Sequence, residues 1–161
     1  MSNILAFLDY TDSNLVNIAF DVLPGVAELA EKPDVSQSPV DLEILRGHSF
    51  ETQGDTLRCL CKLAVSFEVH AAAPSDEEEG VAIARGSCAM TGAAECPIDE
   101  DGEEMQRQVL AANTISYLWA KMRDWVELVS QAGPLGRVSL PAVDPFALLD
   151  EANADEAEDA E

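Results

Sequence analysis

The stretch that decides the fold is Leu57–Val69, which reads L-R-C-L-C-K-L-A-V-S-F-E-V. Every odd-numbered position in it is apolar, whereas the even-numbered positions are mostly polar, with Leu60 and Ala64 as exceptions. Because successive side chains of a β-strand point to opposite faces, this alternation predicts a strand with one continuous apolar face. At about 3.3 Å per residue, the strand would be about 40 Å long. It therefore needs neighbouring strands and an element that covers its apolar face.

Three further segments alternate in the same way and are predicted strands of one sheet. They are Leu15–Val22, Val40–Leu45 and the weaker segment Val81–Met90. In the first of them, the even-numbered residues are predicted to face the core: Val16, Ile18, Phe20 and Val22. We expect the last segment to form an antiparallel hairpin with Leu57–Val69.

Turn-forming and polar residues separate these strands. Leu23–Ser38 contains prolines that interrupt regular pairing, so we expect a long excursion between the first two strands. Gly47 and Gln53–Asp55 are predicted turns, and Pro74–Gly80 is predicted to be a solvated acidic loop. The first residues, Met1–Asp9, fit either an amphipathic turn or another strand.

The second half of the chain predicts helix. Asp101 followed by Glu104 is typical of a helix start, and a helix is expected over Glu103–Gln131. At about 1.5 Å per residue it would be about 43 Å long, which matches the long strand. Its apolar residues recur every three or four positions and form one wide stripe: Met105, Val109, Ala112, Ile115, Leu118, Trp119, Met122, Trp125, Val126 and Val129.

After the long helix, Val138–Leu140 is predicted to be extended, and Pro145 is predicted to start a short helix over Phe146–Glu151. Strands followed by helices indicate an α+β fold with a four-stranded antiparallel sheet. We expect one domain over residues 1–149. Residues 150–161 hold seven acids and nothing apolar larger than alanine, so this tail is expected to be disordered.

The charge of the chain limits its partners. Nine basic residues against 31 acidic ones give a net charge of −22. Such a surface repels phosphate backbones, so nucleic acid is not an expected partner, and basic proteins or cations are. No signal peptide and no apolar run of about 20 residues is visible, so a cytoplasmic protein without stable membrane insertion is expected.

The sequence shows little sign of catalytic or metal chemistry. Cys59, Cys61, Cys88 and Cys96 include no C-x-x-C pair, so they are interpreted as buried thiols rather than a zinc site. The two histidines, His48 and His70, adjoin no nucleophile motif, and no phosphate-binding glycine loop is present. No enzyme activity, no cofactor and no metal are expected.

The apolar stripe of the predicted helix is larger than one small sheet requires. Between Met105 and Leu118 it fits equally well an ordinary core and a surface that faces another subunit. Surplus apolar surface in an acidic chain indicates either a homo-oligomer or a protein that binds hydrophobic polypeptide.

The order of elements resembles the SecB family of protein-export chaperones. The residues that carry the likeness are Asn17–Asp21 with Pro24, Pro39–Ile44, the long strand Leu57–Val69, and Gly133–Leu149 with its Leu140–Pro141 pair and Phe146. The acidic tail is also similar, and the likeness covers about residues 15–161. The sequence departs from the family in three places: Asn113–Val126 lacks the proline-containing run, Ala132 stands where the family has arginine, and Arg85 occupies a position that is usually acidic.

The resemblance implies an ATP-independent holdase that keeps unfolded preproteins competent for export. It implies a homotetramer, a dimer of dimers with an interface at Met105, Val109, Ala112 and Ile115. Clients would bind apolar grooves formed by Leu23, Val26, Leu29, Phe146, Leu148 and Leu149. The SecA translocase is a candidate partner, docking at Asp21 and the tail residues Asp150, Glu151, Asp155, Glu156, Glu158, Asp159 and Glu161. The alternative is a SecB-like chaperone or adaptor of the toxin–antitoxin or phage type that is dedicated to one partner and lacks SecA docking.

Overall fold

The structure, a computed structural model, describes residues 8–24, 40–71, 80–98 and 102–150. Four strands precede a long helix, and a short helix follows at 145–150. The strands are β1 (Asp9–Val22), β2 (Val40–Gln53), β3 (Thr56–His70) and β4 (Ala82–Pro97), and the long helix is α1 (Glu103–Gln131). The predicted α+β fold with a four-stranded antiparallel sheet is confirmed.

The strands form one antiparallel sheet in the order β1-β4-β3-β2. Strand β3 lies in the interior and pairs with β2 from Thr56 to Val69 and with β4 from Thr56 to His70. Its odd-numbered residues, from Leu57 to Val69, are all buried, whereas its even-numbered residues are partly or fully exposed. The period of two in the sequence therefore corresponds to one covered face and one open face of the sheet.

A two-residue turn joins β2 to β3. Gln53 pairs with Thr56, which leaves only Gly54 and Asp55 in the connection. Gly54 has a φ of 60°, a left-handed conformation that glycine adopts without a steric penalty. The turn predicted at Gln53–Asp55 is confirmed, and it sets the register of the hairpin.

Strand β1 is longer than predicted, and its core-facing residues change parity. Leu15 pairs with Met90 and Asn17 pairs with Ala89, so Val16 is an extra residue at a bulge. Its side chain is 60% exposed, which corrects the prediction that it faces the core. After the bulge, the predicted residues do pack against the core: Ile18, Phe20 and Val22.

Strands β2 and β4 also run beyond their predicted ends. Gly47, predicted to be a turn, pairs with Lys62 inside β2, and β4 continues past Met90 to Pro97. Strand β3 is long enough to pair with both neighbours throughout, and this pairing outweighs the weak local preference of glycine and alanine for strand.

Helix α1 covers the face of the sheet that carries Leu57, Leu63 and Val69, and its bounds agree with the prediction. Its buried side includes Leu110, Leu118 and Met122, each fully buried. Gly102 occupies the N-cap position without a side-chain hydrogen bond, and Asp101, predicted at the helix start, lies outside the described residues. Over the described ranges, no helix is both long enough and apolar enough to cross a bilayer.

Gly92 on β4 lets the helix approach the sheet closely. A Cβ placed there would lie 2.7 Å from Leu118 Cδ2 and 2.9 Å from the Asp12 carbonyl oxygen. Gly86 on the same strand makes room for the Phe67 ring in a similar way. These two glycines keep the helix and the aromatic ring in contact with the sheet.

Candidate polypeptide-binding surfaces

The chain after α1 is held against the helix by buried hydrogen bonds. The Val138 amide donates to Ser130 Oγ at 2.9 Å, and Trp119 Nε1 donates to the Pro141 carbonyl at 2.8 Å. Leu135 and Leu140 add apolar contacts to the core. Val138–Leu140, predicted to be extended, lies outside the sheet without regular secondary structure.

An ionic cluster reinforces this attachment on the surface. Glu127 receives hydrogen bonds from Arg137 and from Ser139 Oγ, the latter at 2.5 Å. The Ser139 hydrogen bond and then the Arg137 contacts lower the pKa of the Glu127 carboxyl below its usual range. The segment that leads to the short helix is thus fixed at residues 137–141.

Asp144 caps the short helix at 145–150, because its Oδ1 accepts a hydrogen bond from the Phe146 amide at 2.9 Å. Phe146 itself is 49% exposed, whereas Leu148 and Leu149 are 8% and 6% exposed and belong to the core. Of these three predicted client-binding residues, only Phe146 presents a large surface within the protomer.

The remaining predicted client-binding residues come from the excursion after β1. Leu23 is half-buried, and its amide donates to the Ile83 carbonyl at 2.9 Å. Val26 and Leu29 lie outside the described residues. The grouping of Leu23 with Phe146 in one client groove stays a prediction.

Of the four residues predicted to form the subunit interface, two lie on the surface of the protomer and two lie in its core. Met105 is 62% exposed and Val109 is partly exposed, whereas Ala112 and Ile115 are each 1% exposed and pack in the core of the protomer. Only the first two residues therefore remain on the surface of α1. Trp125 and Leu128, at 37% and 60% exposure, add further apolar surface toward the end of the helix.

The open face of the sheet has a row of four charged residues at each end and fewer charges in the rows between them. At one end, the cross-strand register aligns Asp41, Glu68, Arg85 and Asp21. At the other end it aligns Glu51, Arg58, Glu95 and Asp9. The rows between them carry mainly small side chains, and one shallow groove of about 440 Å³ lies over Gly47, Leu60 and Ala93.

The predicted translocase-docking residues are described only in part. Asp21 is exposed and lies directly opposite Arg85 on β4, so the acid has a basic neighbour on the open face. Asp150 is exposed at the end of the short helix. The other six lie outside the described residues: Glu151, Asp155, Glu156, Glu158, Asp159 and Glu161.

All four cysteines are buried and free. Burial raises the pKa of Cys59 to about 11, that of Cys61 to about 12 and that of Cys88 to about 11, and it also raises the pKa of Cys96. The thiols are therefore protonated at neutral pH, which makes them poor nucleophiles and poor metal ligands. Their interpretation as buried thiols is confirmed.

The two histidines have different surroundings. His48 makes an edge-on contact with the Phe50 ring, with centroids 5.5 Å apart. His70 Nε2 lies 3.3 Å from Glu68 Oε2 and 3.9 Å from Asp41 Oδ2. Contacts with His70 first, and with Arg85 second, lower the pKa of the Glu68 carboxyl.

Sequence reasoning missed this His70 cluster. The alternation of β3 already places Glu68 and His70 on one face, since they are two residues apart. Asp41, however, joins them only through the register of β2 on β3, in which Asp41 faces Glu68. The register depends on the Gly54–Asp55 turn and on the full length of β2, which the sequence pattern underestimates.

Comparison with known proteins supports the fold. No protein-family model and no curated protein matches the sequence. The fold is similar to that of the SecB-like chaperone Rv1957 of Mycobacterium tuberculosis, solved in complex with a ChAD peptide from the HigA1 antitoxin Rv1956. The TM-score is 0.51 at 12% sequence identity, over 88% of this chain and 94% of the other. The fold is therefore SecB-like.

Proposed function

We propose that the chain is a SecB-like chaperone that binds non-native polypeptide without using a nucleotide. The observation that carries this proposal is the fold, which matches a chaperone captured with a peptide over most of both chains. Exposed apolar side chains at Phe146 and Leu128 supply the kind of surface on which such binding depends. Burial of apolar area stabilises the complex by about 25 cal/mol per Å², with little demand on client sequence.

The test is suppression of aggregation of a chemically unfolded client, followed by light scattering. We expect the wild-type chain to suppress scattering and Phe146→Ser to suppress it less, because the substitution removes an exposed aromatic contact. Val81→Ser is the matched control, since Val81 is 72% exposed and belongs to none of the predicted sites. Failure of the wild-type chain to suppress scattering, together with failure to bind any peptide, would sink the proposal.

A second candidate function is service to one dedicated partner. Two points favour it: the similar chaperone is bound to an antitoxin peptide, and Arg85 stands at a position that is usually acidic in the family that the chain resembles. Assays with two unrelated clients distinguish the alternatives. Suppression of both favours a general holdase, whereas suppression of neither, with one protein co-purifying in stoichiometric amount, favours the dedicated chaperone.

Docking to SecA belongs to the general alternative. We propose to measure SecA binding by the chain with and without residues 150–161. Loss of binding on truncation would support a role in export from the cytoplasm, and no binding by either form would favour the dedicated partner. The matching substitution Arg85→Glu restores an acid beside Asp21 and should strengthen docking if the open face takes part.

Assembly as a homotetramer is a further part of the proposal. Light scattering coupled to gel filtration should give a mass near four times the 17.3 kDa of one chain. Met105→Glu introduces a charge at an exposed position and should shift the assembly toward smaller species if α1 forms the interface. A wild-type mass equal to one chain would contradict this part.

A further inference from the structure

Three potential metal ligands meet at one end of the open sheet face. Glu68 and His70 are two residues apart on β3 and point to the same side, and Asp41 lies directly opposite Glu68 on β2. His70 Nε2, a Glu68 carboxylate oxygen and an Asp41 carboxylate oxygen all lie within 4.8 Å of one another. One cation placed between them could therefore contact all three.

The orientation of the glutamate suits this role. Arg85 Nε donates to Glu68 Oε1 at 2.6 Å, while the other oxygen, Oε2, faces His70 at 3.3 Å. One carboxylate oxygen is thus held by a neighbour and the second is directed into the cluster. Such outer hydrogen bonds fix ligand orientation in many metal sites.

The charges of the cluster also favour a cation. Two carboxylates directly opposite each other on neighbouring strands repel, and Arg85 lies on the far side of Glu68 from Asp41. Asp41 is 80% exposed, so a cation can reach it from solvent, whereas the His70 side chain is only 19% exposed. A divalent ion bound between the two acids would replace their repulsion with attraction.

We propose that Asp41, Glu68 and His70 bind one divalent transition-metal ion, with Zn²⁺ as the best fit. One imidazole nitrogen with two carboxylate oxygens is a donor set that zinc accepts, while Ca²⁺ prefers six to eight oxygens and Mg²⁺ prefers an oxygen octahedron. Three protein ligands leave a coordination position for water or for a group from a partner. The site lies on the open face of the sheet, whereas the four thiols are buried in the core. It is also distant from Phe146 in the sequence.

The experiment uses the full chain, free of any affinity tag and dialysed against a chelator. Zn²⁺ is titrated by calorimetry in excess Mg²⁺, which saturates diffuse binding by the many other carboxylates. We expect one Zn²⁺ per chain, with affinity lowered about tenfold or more in His70→Gln and in Asp41→Asn. His48→Gln is the matched control, because it removes the only other histidine and should leave the affinity unchanged.

A second measurement identifies the ligand directly. With only two histidines in the chain, imidazole ¹⁵N resonances can be assigned from the His70→Gln spectrum. Zn²⁺ should shift the Nε2 resonance of His70 and not that of His48. Equal Zn²⁺ affinity in the wild type and His70→Gln, or an unchanged His70 resonance at saturation, would overturn the proposal. Asp41→Asn keeps the test valid if His70→Gln fails to fold, because Asp41 is largely exposed.

Discussion

Two glycines of the sheet differ sharply in the space around them. Gly92 lies beneath Leu118 of α1 and beside the Asp12 carbonyl, so a methyl group there would overlap both. Gly47, on β2, has no atom within 4 Å of where its Cβ would lie, and its backbone is an ordinary extended one. The same substitution therefore has opposite consequences at the two positions.

We expect Gly92→Ala to lower the free energy of unfolding by about 1–3 kcal/mol, the usual cost of overpacking. Gly47→Ala should be neutral or slightly stabilising, since it only restricts the unfolded chain. Urea denaturation of both variants measures the difference. Equal stability of the two variants would show that α1 does not lie as close to β4 as the structure places it.

The four thiols give a second prediction at the scale of single residues. At pH 8 in native conditions we expect a thiol reagent to modify none of them quickly, and to modify all four in denaturant. Rapid modification of Cys59 or Cys61 in the native chain would contradict their burial.

The same burial makes stability fall in alkali. The folded pKa of Cys61, about 12, lies above its ordinary value of 9.0, so the unfolded chain releases this proton first. The protonated Cys61 thiol therefore makes its full contribution to the free energy of unfolding below pH 9, and this contribution is lost as the pH rises toward 12. Cys61→Ala should show a shallower loss of thermal stability than the wild type between pH 9 and 11.

At the scale of elements, the bulge in β1 shows what a sequence can and cannot predict. The alternation of β3 correctly predicts all of its buried residues. Because β3 pairs on both edges and is covered on one face, its odd-numbered side chains must all point to the covered face. In β1, alternation around Val16 looks regular, yet the extra residue in the pairing with β4 turns this side chain to solvent. Bulges depend on the partner strand, so a single strand's sequence does not reveal them.

The short helix at 145–150 shows a similar limit of prediction from sequence, because the sequence does not reveal which of its apolar side chains are buried. The resemblance implies that Phe146, Leu148 and Leu149, three apolar residues of one short helix, bind clients together. The helix has a narrow buried side, and both leucines occupy it, which leaves Phe146 outside. Which apolar side chains of a short helix face solvent depends on how the preceding segment docks.

That docking depends on Ser130, whose hydroxyl accepts the Val138 amide. We expect Ser130→Ala to lower the free energy of unfolding by about 1–3 kcal/mol, because a buried amide loses its partner. Ser116→Ala, on the exposed side of the same helix, is the control. Native-state hydrogen exchange should show faster exchange at Val138 in the first variant only, and unchanged exchange there would contradict the docking described.

At the scale of the whole molecule, the net charge of −22 shapes which polypeptides the proposed chaperone would bind. Salt does not screen apolar contacts, whereas attraction between exposed charges is screened within about 8 Å at physiological ionic strength. A client with both basic and apolar stretches is therefore favoured at low salt.

We expect the affinity of the chain for a basic apolar peptide to fall about tenfold or more between low and high ionic strength. Affinity for an uncharged apolar peptide of equal length should change little. Fluorescence anisotropy with both peptides measures this, and equal salt dependence would exclude a role for the acidic surface in client choice.

The two-residue turn at Gly54–Asp55 has a consequence for the order of folding. Pairing of β2 with β3 closes the shortest possible loop, whereas pairing of β1 with β4 must enclose both of those strands. We expect pulsed hydrogen exchange during refolding to protect amides of β2 and β3 before those of β1, and simultaneous protection would refute this order. If this order holds during synthesis, β1 is made before the other three strands but pairs only after β4 is complete. Until then the proposed chaperone is itself an incompletely folded chain with exposed apolar residues.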